Sequence, residues 1–567
     1  MARSRPPFAL ALLVVLLPAI AGAQDAARWT FEVRLPAEEA PLALLACSDQ
    51  AQDTVRFAAG EGAARDLDAA TRSGAGALER DGDALVARDW RAGECLHVEV
   101  DLVAAAQRDR YGLGRRVGHF LRAAPQRWLW RPRTIDPDST IRFAELPPGW
   151  TVSAPWRPVG DRLRLGDTPR DWPASVVFGR LQPITLVGAH APHARVQVAV
   201  LPTIDAAKER EIATWLAGVQ RDVERLLGGF PSAHTQVLVI PLAGHAEPVP
   251  WGQTTRGGGT AVHLFIGAAA SADARRDDWT AHHEFAHLLH PYLGERGRWL
   301  SEGLASYYQN VLRARGGSLA PHEAWSRLAA GFARGRAATP PDAASLERVA
   351  ATRLRGSTMR VYWAGAAFWL EADLALRAHA SSLDEVLARF HAAHGDHDCC
   401  WTPESWIDAL HALAPAAALP ARFRRHAEAR AFPLTAAQVA TLSGQVELPD
   451  TPIAAVLARA QADAASGGAV GAQGPGPSEK RGAGGTGGRK LRRHGARCST
   501  TSRNTPCPPT TKAPPTLHPA PCTLHPAPCT LHPAPWPLGP GPWALGPGPS
   551  ALSPNPPPPQ PRSATAG

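Results

Sequence analysis

Residues 277–317 read DDWTAHHEFAHLLHPYLGERGRWLSEGLASYYQNVLRARGG and contain the most informative pattern in the chain. The pattern is the H-E-x-x-H string HEFAH at 283–287, inside an amphipathic segment that ends before Pro291. Apolar residues at helical spacing predict a helix over 278–290. On a helix the two histidines of the string lie one turn apart on one face. Two imidazoles at that spacing can share one zinc ion.

A zinc site needs a third protein ligand besides His283 and His287. The metzincin pattern requires Gly three residues and His six residues after the second histidine. Those positions are His290 and Leu293, so that pattern fails. The remaining solution is a carboxylate from the next helix, where WLSEGLASYY supplies Glu302. His282 and His290 flank the string and are interpreted as surface residues or as neighbours of the ligands.

HEFAH followed by WLSEGLASYY resembles the gluzincin metallopeptidases. The string is most similar to the glycyl aminopeptidase family and, more distantly, to the aminopeptidase N family. The resemblance implies that His283, His287 and Glu302 bind one Zn²⁺ per chain and that Glu284 is the general base. It also implies a thermolysin-like catalytic domain between a β domain and a helical domain.

A later helix in those families carries a tyrosine in the motif Y-x-K-G-A. Here the stretch VYWAGAAFW supplies Tyr362, with Ala364 in place of the lysine. The resemblance implies that Tyr362 stabilises the oxyanion of the reaction. Ser306 lies one turn after Glu302, so we expect it to hydrogen-bond a metal ligand and orient it.

One stretch departs from the aminopeptidase pattern. Aminopeptidases of these families place an acidic residue in a Gly-containing motif before the zinc helix, where it holds the free amine of the substrate. The matching stretch, 252–265, reads GQTTRGGGTAVHLF and contains no Asp or Glu. Its glycines Gly257, Gly258 and Gly259 are predicted to bind substrate, because they let a peptide backbone approach as an added strand. Aminopeptidase and endopeptidase activity both remain open.

The spacing of apolar residues changes along the chain in a way that predicts an α+β fold. Short strands such as WTFEVRL and CLHVEVDL, separated by turn pairs, come first, and helical spacing dominates after residue 277. The predicted order is a signal peptide at 1–23, a β-rich N-terminal domain at 24–195, a thermolysin-like catalytic domain at 196–316, a helical domain at 317–450 and a disordered Pro/Gly-rich repeat tail at 464–567.

The charge of the chain is unevenly distributed. The 567 residues have a formal net charge of +9, but residues 464–567 contain ten Lys or Arg and one acid. Residues 24–463 are therefore left near −2. A nucleic-acid-binding domain concentrates positive charge on a folded surface, so that class is excluded.

Residues 1–23, MARSRPPFALALLVVLLPAIAGA, have a basic start, a short apolar run and small residues before Ala23. This is the pattern of a secretory signal peptide, so we expect a periplasmic or secreted protein cleaved near Ala23. No later stretch is apolar enough to span a membrane. Disulfides form in such compartments, which makes Cys47 and Cys95 candidates for a pair within one domain.

The sequence favours an exported zinc metallopeptidase that hydrolyses peptide or protein substrates. A zinc-bound water would be the nucleophile and Glu284 its base. The alternative is a zinc-retaining pseudopeptidase that binds peptides or envelope proteins. A third hypothesis is another zinc hydrolase on the same scaffold, since a fold does not fix a substrate. The intact Glu284 favours the first hypothesis.

Overall fold

The computed structural model of the chain describes residues 26–438, except 109–114, 118–119, 167–173, 189–193, 202–204, 257–258, 353–355 and 396–400. The predicted signal peptide, the repeat tail, Gly257 and Gly258 lie outside the described residues. None of the described helices has both the length and the apolar character that crossing a membrane requires.

Strands form most of the first half of the described chain. They are β1 (Trp29–Arg34), β2 (Leu42–Ser48), β3 (Gln52–Phe57), β4 (Leu67–Arg72), β5 (Leu78–Asp81), β6 (Ala84–Trp90), β7 (Cys95–Val100), β8 (Arg115–Val117), β9 (Phe120–Ala123), β10 (Thr140–Glu145), β11 (Thr151–Ser153), β12 (Arg157–Val159), β13 (Arg162–Arg164), β14 (Val176–Gly179), β15 (Ile184–Leu186), β16 (Arg195–Val200), β17 (His234–Leu242), β18 (Trp251–Thr255) and β19 (Ala261–Gly267).

Helices dominate the second half. The helices of the described chain are α1 (Leu102–Arg108), α2 (Ala206–Leu227), α3 (Ala272–Asp277), α4 (Thr280–Ala286), α5 (Arg298–Gly316), α6 (Pro321–Ala337), α7 (Leu346–Thr352), α8 (Thr358–Arg377), α9 (Leu383–His394), α10 (Pro403–Leu413) and α11 (Leu419–Glu428).

The β-rich N-terminal part contains three sheets, with strand orders β12-β13-β10-β1-β2-β7-β4, β11-β14-β9-β8 and β3-β6-β5. Strand β2 alternates buried and half-buried residues, as expected for a strand with one face on the core. The tryptophans Trp128, Trp130 and Trp156 are almost fully buried, so they belong to the core. A disulfide joins Cys47 on β2 to Cys95 on β7, which confirms the expected pair.

A five-stranded sheet, in the order β15-β16-β17-β19-β18, supports the site described below. Strands β16, β17 and β19 are parallel, and the edge strand β18 is antiparallel to β19. The central strand β17 has the continuous apolar run expected of a strand covered on both faces. Helix α4 packs against β18, so the edge of this sheet lies beside the H-E-x-x-H string.

Helices α5 and α8 pack with their main chains in contact. A Cβ added at Gly303 would lie 2.3 Å from the carbonyl carbon of Gly365, and one added at Gly365 would lie 1.9 Å from the carbonyl oxygen of Trp299. This contact brings Glu302 on α5 and Tyr362 on α8 to the same region. The expected α+β order, from a β-rich part to a helical part, is confirmed.

Candidate metal centre and active site

Helix α4 is shorter than the sequence predicts. It begins after Asp278, whose Oδ1 accepts a hydrogen bond from the main-chain N–H of Thr280 at 2.7 Å. The chain tightens into a 3₁₀ turn over His287–Leu289, and His290 is extended at φ −145° and ψ 153°. The prediction that the helix continues to 290 is therefore wrong, because Pro291 disfavours the helical conformation of the residue before it.

The structure brings the three predicted ligand atoms together. Nε2 of His283 lies 3.4 Å and Nε2 of His287 lies 3.5 Å from Oε2 of Glu302. All three atoms lie within 4.8 Å of one another. Ligands bonded at 2.0–2.1 Å to one tetrahedral zinc ion are about 3.3–3.4 Å apart, so the observed spacing fits such an ion.

Glu302 provides an independent indication of a metal. Its Oε2 is buried and has no hydrogen-bond partner among the described residues. A buried carboxylate oxygen without a partner is costly unless a cation is bound to it. The site therefore has the donor set of a divalent metal centre and a buried carboxylate oxygen that the two imidazoles approach only to 3.4 and 3.5 Å.

Burial and neighbouring charges shift the pKa values of the three predicted ligands in different directions. Burial alone would raise the pKa of Glu302, but the imidazoles of His287 and His283 hold it well below its usual range. Burial lowers the pKa of His287. At His283 burial acts in the same direction, but the carboxylates of Glu302 and Glu284 outweigh it and raise the pKa. A proton and a metal therefore compete most strongly at His283.

Gln309 orients one of the two histidines. Nδ1 of His283 lies 2.8 Å from Oε1 of Gln309, which is buried on α5. Because the amide oxygen accepts, Nδ1 carries the hydrogen and Nε2 keeps its lone pair for a metal. Ser306, which was expected to orient a ligand, is also buried on α5. It is not among the described hydrogen-bond partners of His283, His287 or Glu302, and its role stays a prediction.

The two flanking histidines make different contacts. Nε2 of His282 lies 3.0 Å from Oδ2 of Asp222 on α2. Nε2 of His290 lies 3.2 Å from Nδ1 of the predicted ligand His287. Of the two alternatives open for these residues, His290 is therefore a neighbour of a predicted ligand, and His282 is a buried residue that ties α4 to α2.

The edge strand β18 holds Glu284 in place. The hydroxyl oxygen of Thr254 lies 2.8 Å from Oε2 and 2.8 Å from the main-chain oxygen of Glu284. A Cβ added at Gly252 would lie 2.5 Å from Cγ of Glu284, so only glycine leaves room for this side chain. The sequence did not identify either residue as part of the site.

Tyr362 lies at the same site. Its ring is 6.0 Å from that of His283, with 15° between the two planes. Burial raises the pKa of Tyr362 well above its ordinary value, and the negative charge of Glu302 raises it further. The phenol therefore keeps its proton at neutral pH and can donate a hydrogen bond.

The stretch 252–265, which contains no Asp or Glu, also reaches the site. After β18, the guanidinium Nη1 of Arg256 donates to the main-chain oxygen of His287 at 2.8 Å. Gly259 has a φ of 137°, in the region that favours glycine. Gly257 and Gly258 are outside the described residues, so substrate binding by the three glycines stays a prediction.

No family model matches the chain, and no curated protein matches it in sequence. Solved structures do match. An aminopeptidase N family protein from Idiomarina loihiensis has a TM-score of 0.54 at 12% identity, covering 73% of this chain and 78% of that one. An M1 zinc metallopeptidase from Deinococcus radiodurans has a TM-score of 0.45 at 15% identity, covering 72% and 95%. Yeast LTA4 hydrolase in complex with bestatin has a TM-score of 0.47 at 12% identity, covering 72% and 68%.

Of these three comparisons, the one with the Idiomarina loihiensis protein shows the fold. Its TM-score is above 0.5, while the other two are below that value. At 12% identity the likeness concerns the fold alone. The resemblance to gluzincin metallopeptidases, expected from HEFAH and WLSEGLASYY, is therefore confirmed at the level of the fold, and the matching structure belongs to the aminopeptidase N family, the more distant of the two expected families.

Proposed function

We propose that the protein is a zinc-dependent metallopeptidase that hydrolyses peptide bonds, with one zinc ion per chain. The observation that carries the proposal is the convergence of His283, His287 and Glu302. The carboxylate oxygen Oε2 lies at the spacing of a tetrahedral site from both imidazole nitrogens, and it is buried without a hydrogen-bond partner among the described residues. The fold shared with an aminopeptidase N family protein supports peptide substrates.

A zinc ion held by these residues would supply a Lewis acid and lower the pKa of a nearby water. Glu284 is the general base: held by Thr254, its carboxylate takes the proton of the attacking water and passes one to the leaving amine. Tyr362 keeps its proton and donates to the oxygen on which negative charge develops. Aminopeptidase and endopeptidase cleavage are both compatible with this arrangement of residues.

The test is digestion of a mixed peptide library by the purified chain, read by mass spectrometry. We expect wild-type protein to cleave peptides and Glu284→Gln to lose at least about a hundredfold in rate, because the amide cannot accept the proton. Glu385→Gln, an exposed glutamate on α9, is the matched control and is expected to cleave like wild type. Shortened N-termini indicate an aminopeptidase, and internal cuts an endopeptidase.

The outcomes separate the competing functions. Equal cleavage by wild type and Glu284→Gln would contradict the assigned base. Protein that contains one zinc ion per chain and cleaves no peptide would instead favour the pseudopeptidase or a non-peptide substrate.

We also propose that the protein is exported to the periplasm or secreted, after cleavage near Ala23. The pattern of residues 1–23 supports this. The disulfide between Cys47 and Cys95 supports it independently, since disulfides persist mainly in oxidising compartments. The test is to determine the N-terminal residue of the exported protein.

A further inference from the structure

His290 lies three residues after the ligand His287 and has no role in the proposed reaction. Because α4 has already ended, the main chain at His290 is extended and its ring turns back towards the ligand. Nε2 of His290 lies 3.2 Å from Nδ1 of His287, and both side chains are buried. This contact is to the ring nitrogen of His287 that does not face Glu302.

The hydrogen bonds fix which nitrogen of each ring carries a hydrogen. Nδ1 of His290 lies 2.7 Å from the main-chain oxygen of Pro291, an atom that can only accept. Nδ1 of His290 is therefore the donor, and its Nε2 has the lone pair. Two lone pairs facing each other at 3.2 Å would repel, so Nδ1 of His287 carries a hydrogen. Nε2 of His287 is then left with the lone pair, 3.5 Å from Glu302.

Ser301 does not change this assignment. Its hydroxyl oxygen lies 3.0 Å from Nε2 of His290 and 3.3 Å from Nδ1 of His287. A hydroxyl can donate to the first nitrogen and accept from the second. Ser301 therefore supports the same pair of tautomers.

The geometry points to His290 as a positioning residue that acts through His287 and fixes the tautomer and ring orientation with which His287 binds the metal. Gln309 acts in the same way on His283, with an amide oxygen as the acceptor. Partners of this kind typically change metal affinity by about 10–100-fold when removed. The inference rests on the zinc centre of the proposed function and is independent of whether the protein cleaves peptides.

The experiment measures the zinc dissociation constant of the full chain by competition with a chromophoric chelator. His290→Leu removes the acceptor at 3.2 Å and leaves Nδ1 of His287 with the Ser301 hydroxyl at 3.3 Å, so it is expected to weaken zinc binding by about tenfold or more. His290→Gln restores an acceptor oxygen of the type that Gln309 provides, so it is expected to stay within about threefold of wild type. Thermal unfolding of the metal-free variants checks that each is folded, and His290→Phe replaces His290→Leu if the latter is not.

His282→Leu is the matched control. His282 is buried next to the same string but bonds to Asp222, so its loss is expected to leave zinc affinity within about threefold of wild type. Unchanged affinity of folded His290→Leu, equal weakening by Leu and Gln, or wild-type protein that binds no zinc would each overturn the inference. Wild-type protein that binds zinc but cleaves nothing would overturn the proposed function and leave this inference standing.

Discussion

Thr254 is the residue whose hydroxyl holds the carboxylate of Glu284, at 2.8 Å from Oε2. Replacing it with valine keeps the shape and removes the hydrogen bond. We expect Thr254→Val to lower kcat by at least about tenfold, because hydrogen bonds to charged groups contribute about 1.5–3 kcal/mol. KM and zinc content are expected to stay near the wild-type values. Steady-state kinetics with a peptide substrate and metal analysis provide the measurement.

Thr254→Ser is the matched variant, because it keeps a hydroxyl at the same position. Its kcat is expected within about threefold of wild type. If valine and serine lower kcat equally, the role of Thr254 is packing and not positioning of the carboxylate.

At the scale of single residues, helical spacing accounts for most of what the sequence could predict. His283, His287 and Glu302 stand in two local patterns, and the structure places their ligand atoms together. Gln309 lies seven residues after Glu302, two turns along the same helix, so the same spacing could have identified it. Thr254 could not be identified in this way, because only the packing of β18 on α4 brings it to Glu284.

At the scale of elements, the contact between α5 and α8 depends on Gly303 and Gly365. Gly303→Ala would place a methyl group 2.3 Å from the carbonyl carbon of Gly365, and the main chain there cannot give way cheaply. We expect this variant to lose about 1–3 kcal/mol of unfolding free energy. Zinc affinity should fall as well, because Glu302 is the adjacent residue. Denaturant unfolding and chelator competition measure the two effects.

Gly218→Ala on α2 is the control for the helix propensity of alanine. A Cβ added there meets only Nη2 of Arg221, at 3.7 Å, which is an ordinary contact. The unfolding free energy of this variant is expected to rise by about 0.5–1 kcal/mol. If Gly303→Ala instead raises the unfolding free energy, α5 and α8 can move apart without loss of stability, and the expectation is wrong.

A local signal marks the end of some helices but not of others. Gly228 ends α2 in a left-handed conformation, which is the common role of a glycine just after a helix. The end of α4 was missed, because the apolar pattern continues through 290 while Pro291 already changes the main chain. Helix α7 has seven residues, about two turns, which are too few for its apolar pattern to show a clear period.

At the scale of the whole molecule, the proposed export predicts two covalent features, a processed N-terminus and a disulfide. Protein isolated from the exported fraction is expected to begin at Gln24 and to contain the peptide of Cys47 linked to that of Cys95. Peptide mapping without and with reduction, together with N-terminal mass analysis, measures both features. A chain that retains Met1 and carries both thiols free would contradict export.

The order of the parts was predictable from the sequence, but the arrangement of strands was not. In the sequence, patterns typical of short strands come first and helical spacing follows, and the structure has the same α+β order. The pairing of β1 with β10 is parallel and places Thr30 opposite Thr140. No local pattern indicates such a distant partner, because strand pairing depends on the packing of the complete core.

The glycine contact between α5 and α8 has a consequence for the energy of the proposed reaction. Since the two main chains touch at Gly303 and Gly365, Glu302 and Tyr362 are spaced by backbone contact and not by flexible side chains. Their separation is therefore set before any substrate arrives. In the proposed reaction, a phenol donor whose position is fixed in this way requires little reorganisation when the barrier is crossed, and such preorganisation is the condition under which a fixed dipole lowers a barrier most.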